Sequence, residues 1–260
     1  MAGPIADEVA STAWYHTIEL PGGIATPGFV DLRGVRPRVP IPRLDGLRCL
    51  DVGSATGFWA FELEKMGAAE VVSFDLEDKR DEDWAAGRGQ VDGPIGIARR
   101  GFEIARAHLG SSVQRAGGSV YDLDPDEHGT FDFVFVGSLL LHLRDPVGAL
   151  MAVRGVTRGA LLSFDVVSPL LSLLFRRQAV YGWFWPEIQQ WFIPNRHGHR
   201  RMVEEAGFRV VRQSGLLHQQ LGAGFPRTRV RDLRSPRQLR NVAYTQPVGV
   251  PAGWVLAEAT

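Results

Sequence analysis

The sequence predicts an α/β protein with a largely parallel sheet, on three observations. Apolar runs of strand length alternate with amphipathic segments of helix length. The run Phe131-Asp132-Phe133-Val134-Phe135-Val136 is aromatic and β-branched, as a buried strand requires. And the stretch Leu47 to Asp75, LRCLDVGSATGFWAFELEKMGAAEVVSFD, spells a strand, a small-residue turn, a helix and a second strand. In it, Leu50-Asp51-Val52 leads into Gly53-Ser54-Ala55-Thr56-Gly57. Trp59, Leu63 and Met66 then recur at helical spacing, Glu62 and Lys65 lie on another face, and Gly67 stands where a C-cap glycine belongs. Val71-Val72-Ser73-Phe74 closes the unit and ends in Asp75.

The other elements follow in order. Residues 1–13 show no periodicity and read as a frayed or loosely docked end. Trp14-Tyr15-His16 opens an aromatic patch, which fits either core packing or a ligand-facing wall; Pro21-Gly22-Gly23 and Pro27-Gly28 are turn signals. The proline-rich VRPRVPIPR, residues 35–43, reads as an extended connector. After Asp75, an acidic run and Gly87, Gly89 and Gly93 form a loop. A helix then carries Ala98, Phe102, Ala105 and Leu109 on one stripe. Val113 to Leu123 holds a third strand ending near Tyr121-Asp122. Asp145 as N-cap and Pro146 at N1 open a helix with Val147, Leu150 and Met151 inward, stopped near Gly155. Ala160 to Val167 is a fifth strand, with Asp165 near its end. A helix from about His197 to Ala206 stops at Gly207, Phe208 to Val211 begins a strand, and Gly253 to Ala257 closes the sheet.

Residues 168–195 interrupt the alternation. Tyr181, Trp183, Phe184, Trp185, Trp191 and Phe192 place six aromatics in twelve residues after a strand's carboxyl end. The segment should cap the crevice, its aromatics packing on the N-terminal ones, walling a substrate site, or both. His197-x-His199 has no acidic or cysteine partner and reads as a solvated helix start.

Ligands of open α/β sheets bind outside the carboxyl ends of the strands. That places Asp51, Asp75, Asp122, Gly137 and Asp165 around one crevice. Small residues let the turn's backbone approach a ligand, and an acid 18 residues after Gly57 is placed to hold a ribose diol. The site should hold an adenosine-type cofactor. A dinucleotide fingerprint from Gly53 would need glycines where Ala55 and Phe58 stand, which disfavours NAD or FAD.

The 260 residues suffice for one domain with an appended cap, and the formal net charge is zero, giving no global attraction to nucleic acid or membrane. Charge is uneven, however: residues 196–240 hold eleven arginines and three acids, residues 75–83 six acids and two bases. The lone Cys49 excludes a disulfide framework within the chain and cysteine-rich zinc sites. Neither a secretory signal nor a run of eighteen apolar residues is expected, so the expected compartment is the cytoplasm.

Asp51, Gly53 and Gly57 match the pattern acid-x-Gly-x-Gly-x-Gly, with Ala55 the one departure. The stretch thus resembles the nucleotide-binding signature of class I S-adenosylmethionine (SAM) methyltransferases. The resemblance implies a Rossmann-like, seven-stranded class I methyltransferase sheet with an aromatic-rich cap, and SAM as cofactor. Its turn, Gly53, Ser54, Ala55, Thr56 and Gly57, would wrap the methionine part. Asp75 and Leu76 would hold the ribose, and Val120, Tyr121 and Asp122 the adenine, with Asp51, Gly137 and Ser138 beside them. Trp14-Tyr15-His16 through Phe29, LDVGSATGFW, FDFVFVGSLLLHLRDP and WFIPNRHGHRRMVEEAGF further resemble the tRNA wobble-uridine carboxymethyltransferases and their unassigned bacterial relatives. In that group the residues before strand one fold over the cofactor, which implies a lead-in of residues 1–44 contributing Tyr15, His16 and Arg33, and a catalytic domain of residues 45–260. The tRNA enzymes have a longer N-terminal region and place a tyrosine, which helps hold carboxy-SAM, where this chain has Leu141. Leucine cannot donate a hydrogen bond to a carboxylate, so ordinary SAM and methyl transfer are expected.

The leading expectation is methyl transfer to a small molecule with apolar or aromatic surface. His142 is the first candidate base and His16 the second. Trp14, Tyr181, Trp183, Trp185 and Trp191 are the expected substrate wall, and no metal is expected. The rival readings are tRNA modification, with the arginine-rich region gripping phosphates, and SAM binding without catalysis.

Overall fold

A computed structural model describes residues 4–77, 83, 98–182, 190–227 and 248–260. The expected loop glycines, Trp183, Phe184, Trp185 and residues 228–240 of the arginine-rich stretch lie outside the described residues. The N-terminal segment is ordered beyond expectation. Helix α1 (Pro4–Ala10) buries Val9 in the core, and its Glu8 meets His108 at 2.7 Å. A hairpin of β1 (Glu19–Leu20) and β2 (Ile24–Ala25) follows, then β3 (Val30–Asp31).

The Gly53 unit forms as read: β4 (Arg48–Val52), α2 (Phe58–Lys65) and β5 (Glu70–Asp75), the two strands paired in parallel. Trp59 and Leu63 are buried, and Gly67 ends the helix at φ 93°. Helix α3 (Ala98–Leu109) leads to β6 (Gln114–Gly117). The short α4 (Pro125–His128) precedes β7 (Phe131–Gly137). Asp145 caps α5 (Pro146–Val156) by accepting the Gly148 N–H at 2.8 Å. Leu150 is buried as expected. Met151, expected inward, is 58% exposed, because it lies one residue round the helix from the buried stripe. Strand β8 (Thr157–Val166) follows, then the cap's α6 (Pro169–Leu174), and β9 (Tyr181–Gly182) paired with β10 (Ile193–Pro194). Helix α7 (Arg196–Glu205), β11 (Phe208–Gln213), β12 (Leu217–Leu221) and β13 (Val250–Ala259) complete the chain.

One sheet unites these strands in the order β3-β12-β13-β8-β7-β4-β5-β6, with β11 also on β13. Strands β6, β5, β4, β7 and β8 are parallel, and β13 enters antiparallel beside β8. With β11 on its far side, this is the expected seven-stranded sheet. The sheet nevertheless has nine strands, since β12 continues along the β13 edge beyond β11 and β3 pairs with it. The N-terminal segment is thereby stitched to the sheet edge. Strand residues alternate between two cores: Cys49, Phe133, Phe135 and Phe164 on one face, Leu50, Val134, Val136 and Leu161 on the other. Helices cover both faces, so the strand ends alone remain for a ligand.

Candidate active site

An open cleft of about 960 Å³, its mouth included, lies at the carboxyl ends of β4, β5, β6 and β7. The turn after β4 forms its floor. Gly53 adopts φ 72° and a Cβ there would sit 3.2 Å from the Leu139 side chain, so glycine suits the position. Ala55, the departure from the glycine pattern, also lies in the left-handed region, at φ 46°. Ser138, facing it from the end of β7, has φ 50°. These are the two non-glycine residues with positive φ among the described residues, each costing about 1–3 kcal/mol, and both line the cleft.

Asp75 ends β5 with one face in the cleft. Its Oδ2 accepts the Ala55 N–H at 2.6 Å and its Oδ1 the Leu76 N–H at 2.8 Å. Burial holds its carboxyl above the usual range, while the Arg115 guanidinium and these two N–H groups pull the other way. Phe74, Leu76, Val120, Tyr121 and Leu143 make the surrounding wall apolar. Tyr15 and His142 also line the cleft, and burial, with Asp165 nearby, pushes the Tyr15 hydroxyl up to about 12.

Several expected site residues serve the framework. Asp51 does not line the cleft; it is buried and accepts the Ala60 N–H at 3.0 Å. The reason is local: Gly57, the residue before α2, has no side chain to cap it, so the strand supplies the acceptor. Burial raises its carboxyl to about 8. Asp165 does the same for the turn after β7, accepting Leu140 N–H at 2.8 Å, and burial raises it to about 7. Gly57 is a packing glycine: a Cβ there would lie 2.6 Å from Phe102 and 2.8 Å from Phe61. The Ser54 hydroxyl pairs with Ser73 at 2.5 Å, behind the turn. Asp122 is exposed on the short helical turn Val120–Asp122, off the cleft wall.

His16, the second candidate base, is buried behind the turn. Its N–H donates to Thr56 Oγ1 at 3.0 Å and its Nδ1 lies 3.2 Å from the same atom. Burial lowers its pKa to about 3, which suits a neutral linker holding the N-terminal segment to the turn. Arg33 is not at the cleft either, its guanidinium being held by Asp31 and Glu19, both at 2.7 Å. Trp14 is a core residue, 1% exposed, with its indole N–H donating to Val9 O. His199, expected in solvent, is buried and bonded to Ser163 Oγ at 2.8 Å. Tyr181 is exposed on the cap, its hydroxyl donating to Gly198 O, and does not line the cleft. Trp191 lies at the rim, donating its indole N–H to Asp83 O at 3.1 Å under the Arg144 guanidinium.

Sequence reasoning missed Asp83, Ser119, Leu139 and Leu143 in the lining. Asp83 accepts from the Tyr121 hydroxyl at 2.8 Å and the Arg144 N–H at 2.6 Å, tying two rim turns together. Nothing in an acidic run distinguishes that aspartate from its neighbours. Leu139 and Leu143 could have been found, since they flank Ser138 and His142.

Strand order, glycine turn and strand-end acid define a class I SAM-dependent methyltransferase. The residues present fit the cofactor: a nearly buried carboxylate with one N–H on each oxygen retains acceptor capacity for a ribose, and the apolar wall suits an adenine. A methyltransferase-domain family model matches residues 29–213, and the chain belongs to that family. Among solved structures, the chain resembles the Haloferax volcanii protein complexed with the Trm112 methyltransferase activator (14% identity, 87% of each chain, TM-score 0.53). It also resembles a SAM-dependent methyltransferase from Aquifex aeolicus (17% identity, 89% of this chain and 91% of that one, TM-score 0.50). A third is the 1,6-didemethyltoxoflavin N1-methyltransferase of Burkholderia thailandensis (14%, 83% and 72%, TM-score 0.50). Among curated proteins none matches significantly. The protein is thus a methyltransferase with SAM as its cofactor.

Proposed function

We propose that the enzyme methylates a small-molecule acceptor with apolar or aromatic surface, in the cytoplasm. One observation carries the choice of acceptor. Five of the six described arginines of the basic stretch are engaged within the fold, and the sixth, Arg227, is exposed. Arg200, Arg201 and Arg209 pair with Glu204, Glu205 and Glu258; Arg196 donates to Ser214 O, and Arg212 stacks over Trp254. The cleft instead offers an apolar wall with a few polar groups, the usual composition of a small-molecule site. The Burkholderia enzyme, of the same fold, acts on 1,6-didemethyltoxoflavin.

SAM supplies an electrophilic methyl group on sulfur. The chain's residues supply alignment, the largest contribution to an in-line displacement. Asp75 accepts from the ribose, and Gly53 and Ala55 bring the backbone against the cofactor. Tyr15 and His142 bound the remaining space. His142 takes the acceptor's proton where the acceptor is a hydroxyl or protonated amine. Leu141 supports methyl over carboxymethyl transfer, since it is buried against Val166 and Ile193 and offers the cleft no donor. Transfer to a tRNA wobble uridine, the reading suggested by the segment resemblance, is the less supported alternative.

Titration calorimetry with SAM, S-adenosylhomocysteine and carboxy-SAM, followed by acceptor screening for S-adenosylhomocysteine release, tests this reading. Preference for SAM and salt-insensitive turnover on a small acceptor are expected. Preference for carboxy-SAM, or steeply salt-dependent turnover on tRNA alone, would overturn it.

A further inference from the structure

Helix α6 wears its amphipathicity inside out. Leu170, Leu173 and Leu174, spaced to share one face, are 61%, 60% and 63% exposed. Its polar residues turn inward. Ser168 is buried and caps Leu171 N–H, and the Ser172 hydroxyl donates to Ser168 O at 2.6 Å and accepts Arg196 N–H at 3.0 Å. Of the nine exposed large hydrophobics among the described residues, five lie between Leu170 and Tyr181. A surface helix ordinarily turns such a stripe to the core, and a concentrated apolar patch marks an interaction surface.

The patch is firmly mounted. Buried Asn195 donates to both Phe175 O and Gln178 O at 2.8 Å and accepts the Val180 N–H at 3.2 Å. The loop after the helix is therefore clamped to the start of α7, and the leucines are held outward.

We propose that α6 and the adjoining Arg176-Arg177 form a docking surface for an anionic lipid interface. Charge selects this occupant. Both arginines are exposed beside the leucines, and residues 166–186 contain no acid. Exposed leucines flanked by arginines match acyl chains beneath anionic headgroups. Across a two-fold axis, a second copy would set like-charged arginines near each other, which opposes self-association. Among the described residues no helix is long and apolar enough to cross a membrane, so the contact lies in the plane of the interface. It follows strand β8, on the carboxyl-end side of the sheet where the cleft opens, and is independent of the acceptor's identity.

The test is co-sedimentation of the full chain with phosphatidylcholine vesicles, pure or with roughly one-third phosphatidylglycerol. The wild type should sediment with the anionic vesicles. Leu173→Ser/Leu174→Ser should bind them roughly tenfold more weakly, and Arg176→Gln/Arg177→Gln should lose the preference for anionic over neutral vesicles. S-adenosylhomocysteine affinity, measured by calorimetry, should be unchanged in both variants, showing that they fold. A wild type that stays in the supernatant with both vesicles overturns the proposal. So do variants that sediment like wild type, or a dimer at equilibrium that the leucine variant abolishes.

Discussion

Asp75→Asn tests the cofactor site at its most polar point. In the folded chain each carboxylate oxygen already accepts one backbone N–H, from Ala55 and Leu76. Each retains a further lone pair for a ribose hydroxyl. A hydrogen bond to a charged group contributes about 1.5–3 kcal/mol, so the diol contributes up to roughly 3–6 kcal/mol. Asparagine keeps one oxygen and turns the other into a donor. It forfeits one hydroxyl bond and sets an NH2 against a backbone N–H. The expected loss in binding is about 1.5–3 kcal/mol, a roughly ten- to hundredfold rise in Kd. The orphaned N–H costs about 1–3 kcal/mol of stability besides. Calorimetry with S-adenosylhomocysteine reads the first, thermal unfolding the second. Because burial raises the Asp75 carboxyl, wild-type affinity should also fall on acidification, as protonation removes an acceptor. A Kd within about twofold of wild type, with the melt intact, would refute the ribose assignment.

Gly57→Ala should destabilise by about 3 kcal/mol, from left-handed backbone and overpacking against Phe102 and Phe61, and lower Tm by roughly 6–12 °C. His142→Ala should leave S-adenosylhomocysteine affinity within about threefold of wild type and, with a hydroxyl or amine acceptor, lower turnover roughly a hundredfold; full activity would remove the base. Stability against pH combines two opposed groups of buried residues. Asp51 and Asp165 have folded pKa values of about 8 and 7 against an ordinary 3.8, so their contribution is full below that value and declines as pH rises towards 7 and 8. His16 and His199, lowered to about 3 and 4 from 6.5, act oppositely, their penalty fading as pH rises to 6.5. The two pairs roughly cancel between about pH 4 and 6.5, leaving a decline from about 6.5 to 8 in urea-unfolding stability, which Asp165→Asn should reduce. A stability that rises through that last window would refute the assignment.

The sheet was legible because its strands are apolar runs between turn residues, and the order of the central strands follows from the glycine-turn unit and its continuation. The N-terminal helix was not. Its seven residues are too few to show a periodicity, and it is fixed by tertiary contacts, Val9 in the core and Glu8 on His108. The two added strands were equally hidden. Val30 and Asp31 acquire strand geometry because β12 runs past them on one side and the Tyr15–Thr17 backbone pairs with Val30 on the other. Within the site, the residues adjacent to strand ends were found, as Ser138 and His142 show. Asp83 was not, since it reaches the rim from outside any regular element.

The strand-end acids show why location was legible but role was not. Asp51, Asp75 and Asp165 share one pattern, an acid at or near the carboxyl end of a parallel strand. Free backbone N–H groups crowd that end of the sheet, because each helix or turn that follows begins there. An acid in this position meets those donors whether or not a ligand is nearby. What separates Asp75 from the others is that it also lines the cleft. Asp51 is claimed by α2, whose preceding glycine cannot cap it, and Asp165 by the turn at Leu140. Asp75 accepts the N–H groups of Ala55 and Leu76 and still keeps a face in the cleft. The acid that faces the cleft is therefore told apart by its spatial neighbours and not by spacing along the chain.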